Sequence, residues 1–180
     1  MTKHEPDWSN PPQVFRIWNT QVERALSMDE SRRSVAANGL YRMQFEIACM
    51  DADECQQLIS FLQNLGEQRM WMPFWPDAVY ITALTPIGAS TLPVSDTAHC
   101  NFNSGRVVIW RGFSDSEIIP VLSVGANSLI LENTIAKALS VDFKVYPALY
   151  GRISKWDDIE IVTDEFFRAQ IEFTEMAVNS

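Results

Sequence analysis

The sequence predicts a mainly β protein of the α+β class: a β-sandwich or barrel flanked by one helix, with a smaller β-barrel inserted into it. Three observations carry this. Residues 41–49 alternate between apolar and polar, residues 52–65 form the one well-capped amphipathic stretch, and five short β-signals punctuated by turn residues fall between 83 and 150.

The first β-signal is Val14-Phe15-Arg16-Ile17-Trp18, which continues through Val22, Arg24 and Leu26 into a polar turn at Asp29-Glu30-Ser31. That pattern reads as strands joined by a short loop. Over 41–49, Tyr41, Met43, Phe45, Ile47 and Cys49 alternate with Arg42, Gln44, Glu46 and Ala48. Period two sends one row to a core and the other toward water or a neighbouring subunit. Next, Asp51 is placed as an N-cap with Glu54 three residues later, a capping-box spacing that satisfies orphan amide donors. Cys55, Leu58, Ile59, Leu62 and Leu65 fall at helical spacing, and Gly66 is placed to close the helix.

Arg69-Met70-Trp71-Met72-Pro73-Phe74-Trp75-Pro76 then concentrates aromatic rings around two prolines, so any strand here is an edge or ends at Pro73. Two readings stay open for it: a buried corner of the core, or an exposed aromatic contact for another subunit or a ligand. The middle block predicts strands at 91–94, 106–110, 118–124, 128–131 and 142–146, the pattern of a small, partly open β-barrel. Ile135 to Leu139 reads as a turn or a single helical turn. Alternation returns at Phe167, Ala169, Ile171 and Phe173, a strand suited to pairing with the first block. The expected organisation is therefore residues 1–82 plus 151–180 as one β domain with its helix, and 83–150 as the inserted barrel.

The 180 residues carry 23 acidic against 14 basic side chains, a formal charge of −9 with many aromatics. This is a folded acidic protein; gripping DNA requires Lys/Arg clusters, and the one dense basic spot is Arg32-Arg33. Cys49, Cys55 and Cys100 show neither CxxC nor Cys/His ligand spacing, so reduced thiols are expected. Residues 1–12 lack the charged start and apolar run of a secretory signal, and no apolar stretch reaches membrane-span length, so a soluble protein made in cytoplasm is expected.

Chemistry is sparsely signalled. His99 beside Cys100 is poor evidence for a nucleophile–base pair, because neighbours in a strand face opposite ways. No nucleophile elbow, phosphate loop or dinucleotide fingerprint occurs. Carboxylates cluster at Asp51-Asp53-Glu54, Asp157-Asp158-Glu160 and Asp164-Glu165; helix capping explains the first, and neither of the others has a calcium-loop pattern. No catalytic, cofactor or metal site is expected. Two rival functions from other classes are a carbohydrate-binding or host-adhesion module stacking sugars on Trp71, Trp75 and Trp110, and a small hydrolase using distant carboxylates.

Val22-x-Arg24-x-Leu26, Glu30-x-Arg32-Arg33, the strand 41–49, a helix ending in Phe61-Leu62-Gln63-Asn64-Leu65-Gly66, and Trp71-Met72-Pro73-Phe74-Trp75-Pro76-Asp77 together resemble the distal-tail or tail-tip hub proteins of tailed bacteriophages. Thr91-Leu92-Pro93-Val94, Asn101-Phe102-Asn103-Ser104-Gly105 and Val107-Val108-Ile109-Trp110 look like the small β-domain of many phage virion proteins. The glycine usual before the Glu/Arg turn is replaced here by Met28-Asp29. The resemblance implies a homo-oligomeric ring, a hexamer, between the tail tube and the tip or baseplate. Its neighbours would be tube, tape-measure and hub proteins, with DNA as passing cargo and the virion as its location. Candidate inter-subunit contacts are Glu30, Arg32 and Arg33, a charged turn beside a strand edge, and the aromatics Trp71, Phe74 and Trp75.

Overall fold

The computed structural model describes residues 5–18, 20–24, 30–34, 39–49, 52–65, 68–102, 105–112, 115–156, 160–163 and 166–176, with the backbone alone at 20–24, 30–34, 161–163 and 166–167. The elements run β1 (Gln13–Ile17), β2 (Thr20–Arg24), β3 (Glu30–Ser34), β4 (Leu40–Cys49), α1 (Ala52–Leu65), β5 (Met70–Pro73), a 3₁₀ turn (Trp75–Asp77), β6 (Val79–Tyr80), β7 (Thr91–Pro93), β8 (Arg106–Trp110), β9 (Ser116–Gly125), β10 (Ser128–Leu131), β11 (Lys144–Trp156), β12 (Glu160–Thr163) and β13 (Phe166–Glu175). This is the mainly β, one-helix architecture that the sequence predicts.

One large antiparallel sheet runs β1-β4-β13-β11-β8-β9-β10-β7, and β2 and β3 make a separate two-stranded ribbon. Strand β11 is its spine. Lys144 and Val145 pair with β6 and Val145–Pro147 with β8; further along, Ala148–Gly151 pair with β5 and Gly151–Trp156 with β13. Glycine is required at the changeover. A Cβ on Gly151 would collide with the Thr174 carbonyl and lie 2.8 Å from the Phe173 ring and 2.9 Å from the Glu175 Cα.

Two cores lie on opposite faces of β8 and β11, and alternation divides their residues. Val107, Ile109 and Val145 enter one core; Val108, Trp110 and Tyr146 enter the other. The first core joins Met43, Phe45, Ile47 and Cys49 of β4 and Ala169, Ile171 and Phe173 of β13 to Cys55, Leu58 and Leu62 of the helix. The 3₁₀ turn places Trp75 at its centre, edge-on to Trp110 at 5.3 Å and to Tyr146 at 5.0 Å, with Phe45 at 6.4 Å. The second core is aliphatic apart from Phe102, and β6 to β11 wrap around it. The ladder around it is not closed: β7 meets the end of β6 by the single bridge Ile81–Val94, supported by Thr82 N donating to Pro93 O and Ser95 N to Tyr80 O.

The helix spans 52–65 as expected, while its proposed caps Asp51 and Gly66 lie outside the described residues. Strand β4 begins one residue before the predicted start, and β5 ends at Pro73 as the proline requires. The pairing of β13 with β4, Phe173 beside Met43 and Phe167 beside Cys49, joins the third block to the first as its alternation suggests. Residues 135–139 form bends without helix, and Ile135 and Leu139 are buried in the second core. The strand expected at 142–146 instead starts at Lys144 and runs to Trp156, through the boundary drawn at 150/151, so it belongs to both units.

Candidate subunit interface

The ribbon is the outer part of a long hairpin whose inner part is β1–β4. Ile17 pairs with Leu40 in the sheet, and the same two chain segments pair again from Thr20–Ser34 to Arg24–Glu30. Between the two parts, Gly39 sits at φ +67°, where a Cβ would press at 3.2 Å on both the Ile17 carbonyl and the Arg16 side chain. The ribbon's register sets Arg24 opposite Glu30, Arg32 opposite Val22 and Arg33 opposite Gln21. Among the described residues neither of its strands pairs with a third.

Strand β1 forms one end of the sheet order. Phe15 on it is 45% exposed and Trp18 just beyond it 57% exposed, with the Arg16 guanidinium 5.1 Å from the Trp18 ring and 5.7 Å from Tyr41. Arg16 links β1, unpaired on its outer side among the described residues, to the first core's margin, because Tyr41 packs on that core with its ring tilted against Phe74 at 5.1 Å.

The solvent face of β4, β13 and β11 is polar and internally bonded. Glu172 accepts from Gln44 Nε2 and from Ser154 Oγ, both at 2.7 Å, and Thr174 Oγ1 donates to Ser154 Oγ at 3.0 Å. Those bonds, Gln44 first and then Ser154, hold the Glu172 carboxyl below its usual range. Arg168 Nε lies 3.0 Å from Glu46 Oε1 one pair further along. A shallow depression here is lined by Gln44, Lys155, Gln170, Ile171 and Glu172. At the ribbon end of the same strands Glu175 accepts from the Tyr41 amide at 2.8 Å; burial pushes its carboxyl up.

The structure divides the six residues singled out as contacts. Glu30, Arg32 and Arg33 lie together on β3, in the ribbon. Phe74 and Trp75, at 6% and 0% exposure, are filled by the chain's own first core and present no surface to another subunit. The aromatic-proline segment is thus a corner of the core at those positions. Trp71 is half-buried against Tyr150 at 4.9 Å, with the Arg106 guanidinium 5.0 Å from its ring. The tryptophan triad considered for sugar stacking is not available as a set, because Trp75 and Trp110 are both buried. Sequence reading missed the exposed Phe15 and Trp18, and also Leu84 and Ile87, at 74% and 68% exposure. Pro86 and Gly88 on either side of Ile87 mark a surface turn, a signal that could have pointed to it.

His99 and Cys100 sit in a turn and bend, not on a strand, with His99 exposed. Burial, then Asp77 and Asp96 nearby, push the Cys100 thiol up, which disfavours the nucleophilic thiolate. Among the described residues no three His, Cys, Asp or Glu side chains are grouped to hold a metal ion, and no helix is long and apolar enough to cross a membrane. Compared with models of known protein families and with curated proteins, the chain matches none.

Proposed function

We propose that this chain is a structural protein that assembles with copies of itself into a ring at the distal end of a bacteriophage tail, joining the tail tube to the tip or baseplate. The observation that carries the reading is the β2–β3 ribbon. An isolated two-stranded ribbon is marginally stable at best in water, and Thr20–Arg24 and Glu30–Ser34 together contain one large apolar residue, Val22. Such a ribbon has little to bury on its own body and gains stability from a surface outside it.

Two further features support the reading. The edge of β1 offers backbone donors and acceptors beside the exposed Phe15 and Trp18, and a strand edge with aromatic neighbours suits a heterologous contact. The charge of −9 suits a channel lining through which DNA slides without sticking, since like charges repel. On this reading the ring is a hexamer by resemblance, its partners are tail tube, tape-measure and hub proteins, and it resides in the virion after synthesis in the host cytoplasm. Charge reversals on the channel lining would slow DNA delivery.

Light scattering of the purified protein across concentration, with negative-stain imaging of the same samples, tests the reading. Closed particles of several subunits are expected. The mass of a single chain at every concentration, with no ring on the grid, would overturn it.

A further inference from the structure

We propose that the surface around Lys144 is a binding site for neutral saccharides, with Trp8 and Tyr80 as stacking faces and Lys144 and Glu5 as the hydroxyl-recognising pair between them. The site is separate from the subunit contacts and does not rest on them. Among the described side chains four aromatic rings are more than a third exposed: Trp8, Phe15, Trp18 and Tyr80. Phe15 and Trp18 belong to β1 and its end, whereas Trp8 and Tyr80, at 45% and 44% exposure, both stand beside Lys144.

Tyr80 on β6 lies directly opposite Lys144 on β11, so the two side chains leave the same face. Ser95 fixes the backbone there: the Tyr80 amide donates to Ser95 Oγ at 3.1 Å, and Ser95 N to the Tyr80 carbonyl at 2.8 Å. Trp8 is displayed at the corner of a turn. Asn10 N donates to Asp7 O at 3.0 Å, and the Asp7 carboxylate accepts from Ser9 N and Ser9 Oγ at 2.9 and 2.7 Å. Asp7 N donates to Glu46 O at 2.7 Å, which ties the turn to β4. Lys144 Nζ lies 5.7 Å from the Trp8 ring and 3.6 Å from Glu5 Oε2. Glu5 is held from beneath, because the wholly buried Tyr146 donates its hydroxyl to Glu5 Oε1 at 3.0 Å. Burial, and then Glu5 itself, push the Tyr146 phenol up, so it stays a donor across the physiological pH range.

Two aromatic faces with an ammonium and a carboxylate between them match one chemistry. The C–H bonds on one face of a pyranose ring carry slight positive charge and rest on the negative face of an aromatic ring. Its hydroxyls both donate and accept, so one takes a hydrogen bond from Lys144 Nζ while its neighbour gives one to Glu5. The ion pair, at 3.6 Å, is longer than a charge-assisted hydrogen bond and leaves ammonium donors over. A polyproline segment also stacks on exposed rings, but it offers carbonyl acceptors without N–H donors and has no use for the carboxylate. Lys144 and Glu5 cancel in charge and the chain carries −9, which selects against nucleic acids and other polyanions.

Calorimetric titration with neutral tetrasaccharides of glucose, N-acetylglucosamine, mannose and galactose tests the site. Wild type is expected to bind at least one of them with a Kd of roughly 1 mM or tighter. Trp8→Ala, Tyr80→Ala and Lys144→Gln are each expected to weaken that binding about tenfold at an unchanged thermal midpoint, while Trp18→Ala binds as wild type does. Three positions carry the test, so a single variant that fails to fold leaves it intact. Wild type that binds none of the four at about 10 mM overturns the site. Saccharide binding that survives all three substitutions, or that is lost in Trp18→Ala, also overturns it. So does tighter binding of decaproline that the same three substitutions abolish, which would assign the surface to a proline-rich peptide.

Discussion

The two cores differ in the side chains that fill them. The first must reach from the face of a sheet to a helix and a 3₁₀ corner, and it uses large rings: Phe45, Phe74, Trp75, Trp110, Tyr146 and Phe173. The second is wrapped by strands of a curled sheet and is filled mostly by valine, isoleucine and leucine, with Phe102 as the one fully enclosed ring among the described residues and Phe143 packed at its margin. A layer-to-layer gap of about 10 Å is spanned by long flat side chains, while the tapering interior of a small barrel-like sheet takes compact branched ones. Strands β8 and β11 serve both, giving alternate residues to each side.

The largest test of this contrast is truncation at each centre. Trp75→Ala removes the ring on which Trp110, Tyr146 and Phe45 converge and is expected to cost about 4 kcal/mol; Leu129→Ala in the second core is expected to cost about 3 kcal/mol. Shared strands imply one cooperative transition, so each substitution should lower a single calorimetric midpoint. A scan that splits into two transitions, only one of which each substitution moves, would break the picture of two cores on one spine.

Gly151→Ala tests the spine itself. Contact with the Thr174 carbonyl and the Glu175 Cα is contact with backbone, which cannot rotate away. A loss of about 3 kcal/mol is expected by chemical denaturation. Wild-type stability in this variant would show that β11 and β13 are more loosely joined than their register implies.

The smallest effects should come from two carboxyls of β13, Glu172 on the polar face and Glu175 at the strand's end on the opposite side, which are expected to behave oppositely. Glu172 has its pKa depressed on folding, so it contributes stability above the unfolded carboxylate range, and that contribution fades as pH falls through the folded value. Glu172→Gln should therefore cost about 0.5 kcal/mol near pH 7 and nothing in acid. Glu175 has its pKa raised by burial, so its charged form opposes folding and protonation relieves it. Glu175→Gln, which keeps an acceptor for the Tyr41 amide, should be neutral or stabilising near pH 7. Thermal melts of both variants against pH would settle the pair; parallel behaviour would contradict the opposite signs.

What the sequence made legible follows from range. Alternation at 41–49 and helical spacing at 52–65 are local patterns, and both elements appear within a residue of where they were expected. The length of β11 was not legible, because Pro147 and Gly151 inside it look like punctuation. The structure keeps both within the strand: Pro147 lies where the partners change, its carbonyl accepting from the Phe74 amide at 2.8 Å, and Gly151 makes room for β13. For the same reason, the fate of Trp75 was undecidable from its neighbours, since the rings that bury it come from β4, β8 and β11. Of the interface candidates, the clustering of Glu30, Arg32 and Arg33 could be read directly, whereas their cross-strand neighbours in the ribbon depend on a register that no local pattern specifies.

The spine strand also constrains synthesis. As the chain emerges from the ribosome, β4 appears early with the buried row Met43, Phe45, Ile47 and Cys49, but its partner β13 is more than a hundred residues behind, and β8 likewise waits for β11. Until the β11–β13 stretch is translated, hydrophobic strands with open edges are exposed in a crowded cell, a window in which partial chains stick to one another and chaperones are needed. A protein built this way is expected to yield better when translation is slow and cool, and truncations ahead of Lys144 should be recovered as aggregates.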